Sequence, residues 1–206
     1  MNRSLIIFLH GVGSRGADLA PIGGLWRQTL PSTDFAAPDA PFMFDQGGPG
    51  RQWFSVRGVT EANRPERVAQ ARAAFDATIA AIVAEHGLTD HPERIALIGF
   101  SQGAIMALDV LASGRWPIAA VVAFSGRLAS PEPITPSLTT KTLLVHGSAD
   151  PIMPVRESEL AEIRLRDAGV AVARGVYPGL GHSISGEGAE LASHMLAETL
   201  METKAK

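Results

Sequence analysis

Polar and apolar positions along the chain fall into a few repeating blocks. Leu5-Ile6-Ile7-Phe8-Leu9 is an unbroken apolar run that stops at His10-Gly11-Val12-Gly13, and comparable runs lie over 95–100, 118–124, 142–145 and 171–177. Short apolar runs without alternation mark strands covered on both faces. Between them the period becomes helical: Val68, Ala71, Phe75, Ile79 and Ile82 within 64–86, with Gly87 placed as a C-cap, then Ile105, Leu108 and Leu111, then 157–168. A helix over 18–30 is expected to be interrupted near Pro21-Ile22-Gly23-Gly24, and a short strand covers 33–37. A last helix over 185–201 is expected to turn Leu191, Met195 and Leu196 inward. Strands alternating with helices predict an α/β fold: one domain over 1–206, built on a mostly parallel central sheet with helices on both faces.

One segment breaks the pattern. Residues 38–60 have no period, and their prolines and glycines surround Phe42, Phe44, Trp53 and Phe54. Aperiodic segments of this length in compact domains are usually functional, and this one holds too many aromatics for a solvated linker.

Composition narrows the function classes. The 206 residues are 46% hydrophobic and 19% charged with a formal charge of −3, and Lys and Arg are scattered, so neither nucleic acid nor an anionic membrane is an expected partner. The absence of cysteine removes disulfides, thiolate metal sites and a cysteine nucleophile. Arg3 before Leu5 to Leu9 superficially resembles a signal peptide, but five apolar residues are too few for its hydrophobic region, and a buried first strand fits better. No run reaches the length of a membrane span, so a cytoplasmic location is expected. Nothing in the pattern selects between monomer and homodimer.

The chemistry gathers where apolar runs end. Gly99-Phe100-Ser101-Gln102-Gly103 stands between a strand and a helix, the context of a G-x-S-x-G nucleophile elbow. Glycines are needed two residues either side because the serine sits in a strained turn where strand and helix nearly touch. Helix N-terminal N–H groups then lie beside any oxyanion that forms. Asp150 follows the run 142–145 in a loop stiffened by Pro151 and Pro154, and His182 follows 171–177 in another turn-rich connection. Serine, acid, histidine is the chain order of the α/β hydrolases. His86, His91 and His194 do not sit beyond the C-terminal end of a strand. His10 and His146 do, and with His182 and Asp150 they could gather a metal. Because no H-E-x-x-H pair accompanies them and both precede glycine turns, no metal is expected.

Four blocks together resemble the phospholipase/carboxylesterase family of α/β hydrolases, which includes acyl-protein thioesterases. They are His10-Gly11-Val12-Gly13, Gly99 to Gly103, His146-Gly147 through Asp150-Pro151-Ile152-Met153-Pro154, and Gly179-Leu180-Gly181-His182. Ser14 and Ala104 stand where members often have an aspartate and a third glycine. The resemblance and the spacing jointly imply a cofactor-free serine hydrolase acting on a small-molecule ester or thioester. Ser101 is the nucleophile, His182 the base, Asp150 its orienting acid, and the Val12 and Gln102 N–H groups the oxyanion hole. Gln52-Trp53-Phe54 also resembles a family segment lining the acyl site, so Trp53, Phe54 and Met153 are expected to contact substrate. Two other readings remain at this stage: a non-catalytic binding homologue of the same fold, and a dienelactone-hydrolase or peptidase-like enzyme.

Overall fold

The computed structural model of the protein describes residues 3–202. Its main sheet has six strands in the order β2-β1-β5-β6-β7-β8: Thr33–Ala36, Ser4–Leu9, Ile95–Phe100, Ala120–Phe124, Lys141–Gly147 and Val172–Tyr177. Every pairing in it is parallel, so the sheet is more uniform than the expected mostly parallel one. Parallel strands need crossovers, and helices α1 (Ala20–Trp26), α2 (Arg64–Glu85), α3 (Gln102–Ser113) and α4 (Arg156–Asp167) supply four of them. The closing helix α5 spans Gly186–Glu202.

Period-two alternation divides each strand between two cores. Leu5, Ile7 and Leu9 of β1 pack with α2, α3 and α4, whereas Ile6 and Phe8 pack with Trp26 of α1 and Ala192, Leu196 and Leu200 of α5. The edge strand β8 is covered less and carries Arg174, which pairs with Glu162 at 2.5 Å, a charge that discourages pairing with another chain.

Three expectations need correction. Helix α1 starts at Ala20 and is not interrupted, because Pro21 falls in the first turn, where its missing N–H costs nothing. The buried face of α5 is Ala192, Leu196 and Leu200, with Met195 half-buried and Leu191 41% exposed. Leu191 rests over Gly175 of β8, the last strand, beyond which no neighbour can cover it. Within 38–60, finally, Phe42–Met43 and Arg51–Gln52 pair as a short antiparallel hairpin, β3 and β4.

The strand order decides where a site can form. From β1 the chain steps to β2 on one side and then, through α2, to β5 on the other. The loops after β1 and β5 therefore diverge and leave a crevice at their carboxyl ends.

Candidate active site

Ser101 occupies that crevice between β5 and α3 with φ 53° and ψ −114°, a left-handed conformation rare for a residue with a side chain. Close contacts enforce it. A Cβ on Gly99 would lie 2.4 Å from the Ala104 backbone, and one on Gly103 would lie 2.0 Å from the Leu9 carbonyl oxygen. The Ser101 N–H is tied to the Phe124 carbonyl at 3.0 Å, which leaves the hydroxyl raised above the sheet and slightly exposed.

Its partner is His182, whose Nε2 lies 3.0 Å from Ser101 Oγ while Nδ1 lies 2.7 Å from Asp150 Oδ2. The ring also packs on Phe100, centroids 4.9 Å apart. The acid and histidine loops are laced together: Ala149 N–H donates to Leu180 O, Ser148 N–H to Tyr177 O and Gly179 N–H to Ser148 Oγ, all at 2.9–3.0 Å. Gly147 permits this approach, since a Cβ there would sit 2.2 Å from Leu180 O. Asp150 Oδ1 accepts the Ile152 and Met153 N–H groups at 2.9 and 2.8 Å. Burial pushes the Asp150 carboxyl up, but the Met153 N–H, the His182 ring and the Ile152 N–H together outweigh it and hold the pKa below the ordinary value.

The loop after β1 faces the serine, and a methyl on Gly11 would lie 3.4 Å from Ser101 Cβ. Among the described residues, the Val12 and Gln102 N–H groups donate to no backbone acceptor, Gln102 because it opens α3. The hairpin holds this loop in place. Gly13 N–H donates to Arg51 O and Arg51 N–H to Ser14 O, both at 2.8 Å, while Gly50 comes so close to Gly13 that a Cβ would clash at 2.0 Å.

Trp53 departs from its expected role as a wall for substrate. It has no exposed surface; its ring packs on Phe75, its indole N–H donates to His10 O at 2.9 Å, and its backbone N–H donates to Gln102 Oε1 at 2.8 Å. Phe54 is 5% exposed, and its carbonyl accepts from Gln102 Nε2 at 2.7 Å. Segment 38–60 does fold against the elbow, as a brace between the β1 loop and α3. The outer part of Phe54 borders a cavity of about 310 Å³ that is also lined by Phe42 and Arg67 and not by Ser101 or His182. Met153 is 7% exposed and acts through its backbone: its N–H holds Asp150, and its carbonyl lies 2.7 Å from His146 Nε2.

The motif reading placed His10 and His146 at strand ends but did not anticipate what their rings hold. His10 Nε2 accepts the Ala40 N–H at 2.9 Å, so Nδ1 carries the proton and donates to Gly11 O at 2.7 Å. Burial lowers its pKa, in keeping with this neutral form. His146 donates from Nε2 to the Met153 carbonyl and sits 3.4 Å from Asp150 Oδ2. Among the described residues no three histidine or acidic side chains are grouped to hold a metal ion. The side chains of His10, His146 and Gln102 lock the loops around Ser101, and their only trace in the sequence is their place inside the motif blocks.

A wholly parallel sheet with a strained serine after β5, an acid after β7 and a histidine after β8 is the arrangement of an α/β hydrolase. The chain belongs to the phospholipase/carboxylesterase family, which it matches over residues 1–200. It is similar to the esterase YpfH of Escherichia coli, 34% identical over 199 residues that span 96% of this chain and 84% of that protein. Acyl-protein thioesterase 1 of Gibberella zeae is 27% identical over 86% of this chain and 83% of its own length. The crystal structure of the esterase PE8 superposes with a TM-score of 0.86 at 36% identity, covering 96% of this chain and 93% of that one.

Proposed function

We propose that the protein hydrolyses small-molecule carboxylic esters or thioesters through an acyl-enzyme on Ser101. The observation that carries this reading is the unbroken chain from Ser101 Oγ through His182 to Asp150, with contacts of 3.0 and 2.7 Å. Neutral His182 takes the Ser101 proton at Nε2 as Oγ attacks the carbonyl carbon, then returns it to the departing alcohol or thiol. Asp150 keeps the proton of the neutral ring on Nδ1 and stabilises the imidazolium that forms. The Val12 and Gln102 N–H groups receive the oxyanion, helped by the positive end of α3. Water, deprotonated by the same ring, then attacks the acyl carbon, the bond to Ser101 Oγ breaks as the ring returns the proton to Oγ, and the acid leaves with no cofactor involved.

A fluorophosphonate probe tests this directly. It is expected to label wild-type protein at Ser101 and to leave the His182→Ala variant largely unlabelled. A binding homologue without catalysis would resist labelling, and that result would remove the hydrolase assignment. A panel of esters, thioesters and lysophospholipids then ranks the leaving groups. Among the described residues no helix is long and apolar enough to cross a membrane. A cytoplasmic site of action belongs to the proposal, and cell fractionation tests it.

A further inference from the structure

Glutamine is mostly a surface residue, yet Gln102, which opens α3 directly after Ser101, is 2% exposed. A buried carboxamide is costly unless its acceptor and its donor both find partners. Here both do. Oε1 accepts the Trp53 N–H at 2.8 Å and Nε2 donates to the Phe54 carbonyl at 2.7 Å. The partners are main-chain groups, so the side chain fixes the path of the chain at 53–54 and the Trp53 ring takes no part in these bonds.

The same stretch is tied at its other end to the loop after β1. Two residues before Trp53, the Arg51 carbonyl accepts the Gly13 N–H and the Arg51 N–H donates to the Ser14 carbonyl, both at 2.8 Å. Residues 51–54 therefore join the two places whose N–H groups, Val12 and Gln102, are proposed to receive the oxyanion. Ser101 itself is held from the β6 side by the Phe124 carbonyl, so the carboxamide is a separate tie on the first turn of α3. An oxyanion hole works through donors fixed before charge develops, and a small error in their spacing lowers the rate while substrate still binds.

We propose that Gln102 is a positioning residue for the oxyanion hole: its side chain, bonded to residues 53–54, sets the spacing between its own N–H and that of Val12. The inference deepens the hydrolase reading and rests on it. The clamp takes one acceptor and one donor at once, which a glutamine supplies and an ionised glutamate does not.

The test replaces the carboxamide and follows the charge that forms on the substrate. Gln102→Met keeps the length and the apolar stem and removes both bonds. With p-nitrophenyl butyrate its kcat is expected to fall about 10- to 100-fold, less than the roughly 10²–10³-fold that follows outright loss of a donor, with KM within about twofold. The specific readout is inhibition by propyl trifluoromethyl ketone. Ser101 Oγ adds to its carbonyl carbon, His182 takes the hydroxyl proton, and the former carbonyl oxygen carries the negative charge. Its inhibition constant should rise by the factor that kcat/KM loses, whereas propyl methyl ketone, which stays a neutral carbonyl, should move by less than about twofold. The acid limb of kcat/KM should keep its midpoint, because the substitution leaves His182 and Asp150 untouched. A wild-type measurement stands apart from the folding of any variant. If the clamp holds the hole, an oxyanion in the hole strengthens the clamp, so the trifluoromethyl ketone adduct should slow hydrogen exchange at the Trp53 amide. The slowing should exceed that at the Phe75 amide of α2, whose ring packs on Trp53 without belonging to the clamp. A rise in KM with kcat kept, a fall in kcat with the affinity for the trifluoromethyl ketone kept, a moved acid limb, or equal slowing at the two amides overturns the inference and leaves the hydrolase reading intact. Failure of wild-type Ser101 to label and to turn over the ester overturns both.

Discussion

Two buried aspartates, Asp109 and Asp150, show what separates the carboxylate of the proposed relay from a structural one. Both have side chains with no exposed surface, and both hold a pKa below the ordinary value against the upward push of burial. Asp109 receives Arg72 twice, at 2.9 and 2.8 Å, Arg115 at 2.8 Å and the Ser130 hydroxyl at 2.8 Å. Asp150 receives two backbone N–H groups and an imidazole. The difference lies in the donors. Arginine never gives up its proton, so the Asp109 cluster is electrically fixed. Histidine can pass a proton from ring to serine and back while its carboxylate partner stays put, and His182 alone of these donors also reaches a partly exposed hydroxyl.

The largest effect that tests this contrast comes from the serine end. Ser101→Ala is expected to lower kcat by about a million-fold with an unchanged melting temperature, read from ester turnover and calorimetry on the same sample. Asp150→Asn should follow at about 10⁴-fold, because the amide favours the wrong ring tautomer, again without unfolding the chain. Residual activity near wild type in either variant would place the chemistry elsewhere.

Substitutions outside the proposed site should reverse the pattern, with stability lost and chemistry kept in the molecules that remain folded. Trp53→Ala empties a fully buried site and should cost about 3–5 kcal/mol in denaturant unfolding. Acetyl and octanoyl esters should then suffer alike, since the ring braces the loop and does not line the acyl path. Asp109→Ala should cost about 3 kcal/mol, at the low end for a broken buried pair, because Arg115 keeps Asp76 at 3.0 Å and Arg72 is 30% exposed to solvent.

Acid supplies the smallest and most specific test. Each carboxyl has a folded pKa below its unfolded value of about 3.9, so the stability it contributes is complete above that value and is lost as pH falls through the folded pKa. Neither should alter the unfolding free energy between about pH 5 and 8. Below about pH 4, the pH slope of the unfolding free energy should be shallower in Asp109→Ala than in wild type, by up to one proton. An unchanged slope would mean that Asp109 is not held as a buried anion.

Much of this was legible in the chain because backbone demands leave strong marks. Unbroken apolar runs reported strands buried on both faces, and the glycines around Ser101 reported contacts as short as 2.0 Å. The spacing of Ser101, Asp150 and His182 past three strand ends anticipated their meeting, since parallel strands bring all those ends to one edge. Trp53 misled because an aromatic in an irregular segment reads the same whether its ring faces a ligand or a core; only the partners of its N–H groups separate the two. The hairpin within 38–60 went unseen because strands of two residues have no period to detect. Leu191 was misplaced by one position because the sequence does not say that β8 lies at the edge of the sheet.

The strand order also governs how the protein emerges from the ribosome. Leu5 of β1 pairs with Ile95 of β5, ninety positions later, so one side of an apolar strand waits for its neighbour while the intervening chain is made. At about 5–20 residues per second that interval is roughly 4–18 seconds, during which β1 has only β2 beside it. The groups of the proposed site arrive in sequence, the loop after β1 first, then Ser101, Asp150 and finally His182 on the loop after the edge strand. A nascent chain that stalls before β8 therefore lacks His182 and leaves β7 open along one side, ready to pair with the wrong molecule.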